Sequence, residues 1–471
     1  MKTALISLVA ALACAAPATA LADVQPYGTN DAGGFRNVLP PGEAGTDNAL
    51  QLGLFQTART TPPHFTDQQP LYDGLLFASP TLTHDDVAKY FKDATFGVRP
   101  GDVESTESPR AGVIIVRDKG YGVPHIYGAT DDDVAFGAGY AGAEDRLFLM
   151  DVLRHTGRAQ LSSFVGGSPG NRAMDRTQWA IAPYTEDDLQ KQIDLAPTVY
   201  GDRGRELVER GNAFVDGINA YIDKSLSDIT KLPGEYAALG KTPTHWTLRD
   251  VIAEASLIGG IFGKGGGNEV RSALLLQALQ QRFGAKKGRR AWADFRSKND
   301  PEAPTTVLKK RFPYETTSAF AKRGLALPDK GSVQFTPVAP PVASAADTRS
   351  MGAQLRRAFA QHPHASNWEL ISARESATGH PIGVLGPQVG YYEPQILMEE
   401  DLHGPHFDAR GASFPGVNLV VQLGHGRDYA WSATTATSDN VDTFAEVLCQ
   451  DDFHYEYGPA HQCRAMDKLD R

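Results

Sequence analysis

The chain has 471 residues, a formal net charge of −10, 41% hydrophobic and 22% charged residues. Such values belong to globular chains and exclude wholesale disorder, collagen-like repeats and long coiled coil. The acidic balance argues against a general nucleic-acid binder, and the length allows a large core without metal or disulfide staples.

The N-terminus reads as an export signal. Lys2 supplies a positive start, Ala4 to Ala16 is an apolar run too short to span a bilayer, and Ala20-Leu21-Ala22 is a small-residue cleavage site. Cys14 follows Ala11-Leu12-Ala13, a poor match to a lipoprotein cysteine. Residues 1–22 are therefore expected to be a signal peptide. The mature chain is expected to be secreted or periplasmic, with no membrane partner. It keeps Cys449 and Cys463 in an oxidising compartment, either paired or as two buried thiols.

Residues 23–108 are rich in Gly, Pro, Thr and Asp and read as a loop-rich lead-in. Val113 to Val116 predicts a strand, Lys119 to Gly122 a turn, and Val123 to Tyr127 a second strand, together a hairpin. From Asp131 to about Phe164, Val134, Phe136, Tyr140, Leu147, Leu149, Met150 and Leu153 recur at helical spacing. Further helical patterns cover 203–225, 248–258 and 269–283. The basic run Lys286, Lys287, Arg289, Arg290 reads as a solvated helix end. Roughly 312–365 is dominated by Pro, Ala, Ser, Lys and Arg, the composition of an exposed spacer. Beyond it, Trp368 to Ser372, Ile382 to Leu385, Ile396 to Leu402, Asn418 to Leu423, Tyr429 to Thr434 and Val441 to Leu448 are short strands between Gly/Pro turns. No internal repeat is visible. Helices first and strands later predict an α+β fold, a sheet with helices packed on it.

Several motifs invite chemistry. Gly166-Gly167-Ser168-Pro169-Gly170 matches G-x-S-x-G, but Pro169 has no N–H to give an oxyanion, and the motif follows a helix; it reads as a turn. Gly263 to Gly267 lacks the Lys-Ser/Thr ending of a phosphate loop and reads as a bend beside a pocket. His403 and His406 have no third ligand nearby and read as structural. Asp439-Asn440-Val441-Asp442 offers two carboxylates and the Val441 carbonyl, hard oxygens suited to calcium, or else a solvated acidic turn. His364-Ala365-Ser366-Asn367-Trp368 lies where spacer gives way to strand. A cut before Ser366 would give it a hydroxyl and a free α-amine of pKa about 7.7–8.0, able to take the hydroxyl proton without a histidine. Before the cut that nitrogen is an amide, so the uncut chain would be an inactive precursor. The bland alternative is a turn entering a strand.

From about Val113 to Leu448 the chain resembles the penicillin acylase family of N-terminal nucleophile amide hydrolases. The matching stretches are Val116-Arg117-Asp118, Gly122 to Tyr127, Gly137 to Tyr140, Glu144 to Phe148, Ser366-Asn367-Trp368, Gly386-Pro387-Gln388, Leu402 to Pro405, Phe414-Pro415-Gly416 and Ala430-Trp431-Ser432. Residues 23–112 carry no family motif. The resemblance implies a four-layer αββα sandwich and a self-cleaved precursor. A mainly helical alpha chain would run over 23–315, a spacer propeptide over 316–365, and the first part of a catalytic beta chain over 366–471.

It also assigns roles. Ser366 matches the nucleophile. Gln388 matches a residue that helps hold the α-amine and substrate. Thr435 matches the position whose backbone N–H helps form the oxyanion hole; most relatives have a smaller residue there. Glu269 matches the helical-chain carboxylate that completes, with Asp439, Val441 and Asp442, one structural calcium site per heterodimer. Phe262 matches an aromatic of the acyl pocket, or is an ordinary core residue. The implied partner is a small N-acylated molecule: a penicillin, an acyl-homoserine lactone or an acylated peptide. A secreted, calcium-stabilised binding protein without turnover is the rival. The segment after Ser366 is several hundred residues shorter than the family's second chain. A fragment or a truncated copy is therefore expected, with the remaining oxyanion-hole and calcium ligands outside it.

Overall fold

The computed structural model describes residues 35–43, 48–295, 349–359, 366–377, 379–386, 395–434, 438–443 and 446–468. The described lead-in is not mainly loop. It holds β1 (Arg36–Asn37), α1 (Ala49–Ala58), α2 (Gln69–Ala78), α3 (Val87–Tyr90), β2 (Lys92–Asp93) and β3 (Val103–Glu107). Asn48 caps α1 by accepting from the N–H groups of Leu50 and Gln51, but α1 buries no side chain. The apolar rhythm that reveals a helix is therefore weak there.

The expected hairpin forms as β4 (Val113–Asp118) and β5 (Pro124–Gly128), paired antiparallel. The long helical pattern becomes α4 (Asp131–Gly157), followed by α5 (Leu161–Val165), α6 (Pro169–Ile181), α7 (Glu186–Tyr200), α8 (Asp202–Ser227), α9 (Gly234–Leu239) and α10 (Leu248–Phe262). Thr130 and Asp133 form a reciprocal capping box at the start of α4. At Arg146 the backbone leaves helical geometry, φ −142° and ψ 20°, while its guanidinium donates to the carbonyls of Gly42 and Pro41. Helices α4 and α8 approach closely because glycines line the crossing. A Cβ on Gly139 would stand 2.1 Å from the Phe214 carbonyl oxygen, and one on Gly217 2.0 Å from that of Phe136.

Next come β6 (Lys264–Gly266), α11 (Glu269–Phe283) and α12 (Ala285–Asp294). The basic run is not the end of α11. Gly284, at φ +78°, breaks the helix, and the four cations lie on the first turns of α12. Then follow α13 (Met351–Phe359), β7 (Asn367–Ile371), β8 (Ile382–Gly386), β9 (Met398–His403), β10 (Asp408–Ser413), β11 (Leu423–His425), β12 (Ala430–Trp431), β13 (Ser438–Val441), β14 (His454–Tyr457) and β15 (Gln462–Ala465). Residues 418–422 are not strand. Asn418 fixes a turn instead, accepting from Gly416 N–H and donating to the Ala138 carbonyl. Of the stretch expected from Val441 to Leu448, the described part holds only the end of β13 and an isolated bridge at Leu448.

Seven strands form one sheet in the order β12-β11-β10-β9-β5-β4-β3. Every neighbouring pair is antiparallel except β5 and β9, which run parallel with His125 opposite Asp401. Helix α4 lies against this sheet, with Gly137 on Ile126 and Val113. Every residue of β9 is buried, as expected of a strand covered on both faces. Among the described residues β7 and β8 pair only with each other, and Trp368, Leu370 and Val384 are exposed. Among the described residues no helix is long and apolar enough to cross a membrane.

The chain divides into two units. The first takes its described residues from 1–260 and 343–435; the second takes them from 261–342 and 436–471. Each thus combines two segments distant in sequence. The second contains α11 packed on α12, the β6–β13 pair, and the β14–β15 hairpin. Its Cys449 and Cys463 are disulfide-bonded, which decides the question the sequence left open.

Candidate functional site

Ser366 belongs to the first unit and stands directly ahead of β7, partly buried. Gln388 and Thr435 lie outside the described residues. The other matched residues fall in the second unit. Phe262 ends α10 and is half-buried. The bend after it is drawn into a strand, because β6 pairs in parallel with β13.

That pairing brings the acidic segment and Glu269 together. Gly266 is opposite Val441, the Gly267 N–H donates to the Val441 carbonyl at 2.5 Å, and the Gly265 N–H donates to Asn440 Oδ1 at 3.3 Å. Glu269 opens α11 with an exposed carboxylate. Its pKa is held below the ordinary glutamate value by its own backbone N–H first, then by the hydroxyl and N–H of Thr443 and the N–H of Gly267. Asp442 is exposed, and the Asp439 side chain lies outside the description. These donors are all hard oxygens, and one Val441 carbonyl lone pair is already engaged. The set suits a calcium-sized cation.

Other motifs have plainer roles. Ser168 caps α6, accepting from the Asn171 N–H, with Pro169 in the first turn. His403 has both nitrogens engaged, Nδ1 with Asp408 at 2.8 Å and Nε2 with Asp401 at 2.9 Å. His406 is exposed and faces Asp131 instead. They do not form a metal pair.

The motifs of the first unit converge on a buried charged network that sequence reasoning did not anticipate. Asp401, on β9, accepts from Gly97 N–H at 2.8 Å and His125 Nδ1 at 2.7 Å, and forms an ion pair with His403 Nε2. Its pKa falls well below the ordinary range: burial opposes this, and the two imidazoles overcome it. Burial pulls His403 down, but the charges and hydrogen bonds of Asp401 and Asp408 leave it at about 9. Beside it, buried Glu399 takes both Lys92 and Arg410. Glu400 accepts from Ser413 Oγ at 2.7 Å and Asn418 Nδ2 at 3.1 Å, yet burial raises its pKa to about 8. Buried Arg117 gathers Glu144 at 2.9 Å and Asp145 at 2.7 Å, with Glu43 at 3.8 Å. The visible signal was Glu399-Glu400-Asp401 between Met398 and Leu402, three carboxylates inside an expected strand.

Penicillin G acylase of Escherichia coli is 27% identical over 366 residues, covering 73% of this chain and 41% of that protein. The acyl-homoserine lactone acylase QuiP of Pseudomonas fluorescens Pf-5 is 24% identical over 362 residues, covering 75% of this chain and 38% of that one. A solved thermostable penicillin G acylase from Alcaligenes faecalis aligns at 26% identity and a TM-score of 0.35, over 44% of this chain and 100% of that chain. The chain spans about two fifths of the length of the curated relatives it matches. The model of the penicillin amidase family matches residues 112–471, the greater part of the sequence, and the chain belongs to that family.

Proposed function

We propose that the chain is the precursor of a secreted or periplasmic amide hydrolase, an acylase that acts through Ser366. The observation that carries this reading is the family match. It runs across the spacer and includes Ser366-Asn367-Trp368, whose serine stands immediately ahead of β7. Hydrolysis of the Ala365–Ser366 bond frees the α-amine. That amine takes the Ser366 hydroxyl proton, directly or through a water, as Oγ attacks the carbonyl carbon of a linear amide. The C–N bond breaks, the proton passes to the departing amine, and an acyl ester remains on Ser366. Water then releases the acid. Gln388 holds the α-amine and substrate, and the Thr435 N–H stabilises the developing oxyanion.

The substrate in this reading is an N-acylated small molecule such as a penicillin, with an acyl-homoserine lactone or acyl-peptide as alternative. Phe262 lines the acyl pocket. One structural calcium is held by Glu269, Asp439, Asp442 and the Val441 carbonyl, and the pairing of β6 with β13 supports that grouping. Intact-mass analysis with N-terminal sequencing tests the reading. The wild type should give two chains, the second beginning Ser-Asn-Trp, and Ser366→Ala should stay uncut. A wild type that stays in one piece under all conditions would sink it.

A further inference from the structure

A cavity of about 260 Å³ opens in the first unit between the last turns of α4 and the starts of α7 and α10. Its wall carries three guanidiniums, Arg154, Arg158 and Arg249, and two carboxylates, Glu186 and Asp250. Arg154 and Asp250 are committed to the fold. Arg154 is buried, with Nε 2.8 Å from Asp151 and donations to the hydroxyl and carbonyl of Thr244. Asp250 accepts from the Thr247 N–H and hydroxyl and meets Arg158 Nε at 3.0 Å.

Glu186 is held differently. Its carboxylate spans two cations, one oxygen 2.6 Å from Arg158 NH1 and the other 3.7 Å from Arg249 NH1. Its side chain is 43% exposed, against 14% for Arg158. At that distance Arg249 donates no hydrogen bond to Glu186, and among the described residues it has no other polar partner. An oxyanion between two guanidiniums is the arrangement in which arginine binds carboxylates and phosphates. Here the chain's own part-exposed, first-turn glutamate occupies the place. Rotation of Glu186 toward solvent would leave Arg158 and Arg249 facing each other, with the Gln160 amide on the same wall.

We propose that this cavity is a binding site for a small oxyanion, carboxylate or phosphate, which bridges Arg158 and Arg249 by displacing the Glu186 carboxylate. The site stands independently of Ser366 and needs no cleavage.

Calorimetric titration of the full chain with inorganic phosphate, and separately with acetate, at constant ionic strength tests it. One saturable site per chain is expected. Glu186→Gln should bind about tenfold tighter, because the internal competitor loses its charge, and Arg249→Ala about tenfold weaker. Arg249 is part-exposed, so its variant should melt as the wild type does without ligand. Binding of either anion supports the site and assigns its source. Absence of saturable binding to both wild type and Glu186→Gln would overturn the proposal. So would Arg249→Ala binding like wild type, or Glu186→Gln binding more weakly.

Discussion

The Glu254 side chain is wholly buried on α10, and neither carboxyl oxygen has a hydrogen-bond partner among the described residues. It lies so near the turn at Gly416 that a Cβ there would stand 2.3 Å from its oxygen. Burial raises its pKa well above the ordinary glutamate value; Arg154 pulls the other way, and Asp151 and Asp250 add to the rise. The folded chain therefore keeps a proton that the unfolded chain gives up near pH 4.5. Above that pH the unfolded state binds fewer protons, so stability falls as pH rises, by up to about 1.4 kcal/mol per unit, until the folded-state pKa is reached. Gln reproduces the neutral form. Glu254→Gln should match wild type in urea melts at pH 4 and be the more stable of the two at pH 8. A gap independent of pH would show that Glu254 is not held neutral. Little of this was legible from residue types. A glutamate in Val251 to Leu257 reads as one polar position of a helix, and nothing in its own stretch announces that its face is sealed. At Gly166 to Gly170 the missing Pro169 N–H and the preceding helix excluded a hydrolase serine, but the turn expected there is the start of α6, capped by Ser168.

Helices α4 and α8 cross where neither can carry a side chain. Gly139 and Gly217 each face the other helix's backbone, which cannot rotate aside as a side-chain tip can. Gly217→Ala should cost about 3 kcal/mol by forcing the axes apart, more than the propensity gained from Ala would offset. Gly139→Ala should cost a similar amount. The double variant should cost less than the sum of the two, because one separation relieves both clashes. Denaturant midpoints of the three variants check this; strict additivity would mean the two contacts give way separately. At this scale the sequence was informative where periodicity was strong, as in α4, α8, α10 and the β4–β5 hairpin. It was silent on β10, whose Asp408-Ala409-Arg410-Gly411-Ala412-Ser413 lacks the branched and aromatic residues that mark strands. β10 is a strand because β9 and β11 pair with it on either side. Two acids of β9 are tolerated inside for a related reason: Lys92 of β2 and Arg410 of β10 meet Glu399, and His125 of β5 meets Asp401.

In the whole molecule, each unit combines two segments distant in sequence. The β6–β13 pair and Glu269 do this in the second unit, where the calcium reading applies. Metal binding to the folded state alone stabilises it by mass action. A chelator should therefore lower the melting temperature, and Asp439→Ala combined with Asp442→Ala should remove that response while Cys449–Cys463 still closes its loop. A double variant that still responds to the chelator would place any ion elsewhere. The family was legible because motifs survive in order along the chain. The division into units was not, since it depends on contacts between residues far apart in sequence. Composition changes at the spacer, whereas the units interleave across it.

The parallel seam between β5 and β9 would have a kinetic meaning if Ala365–Ser366 is severed as proposed. Main-chain bonds in the middle of the seven-stranded sheet then hold two separate polypeptides. An uncut chain recovers from denaturation as one body, at a rate indifferent to dilution, whereas the severed pair must find each other again. Recovery of the mature form should fall with dilution, while Ser366→Ala should recover equally well at every concentration. Maturation would then make the fold easy to keep and hard to regain.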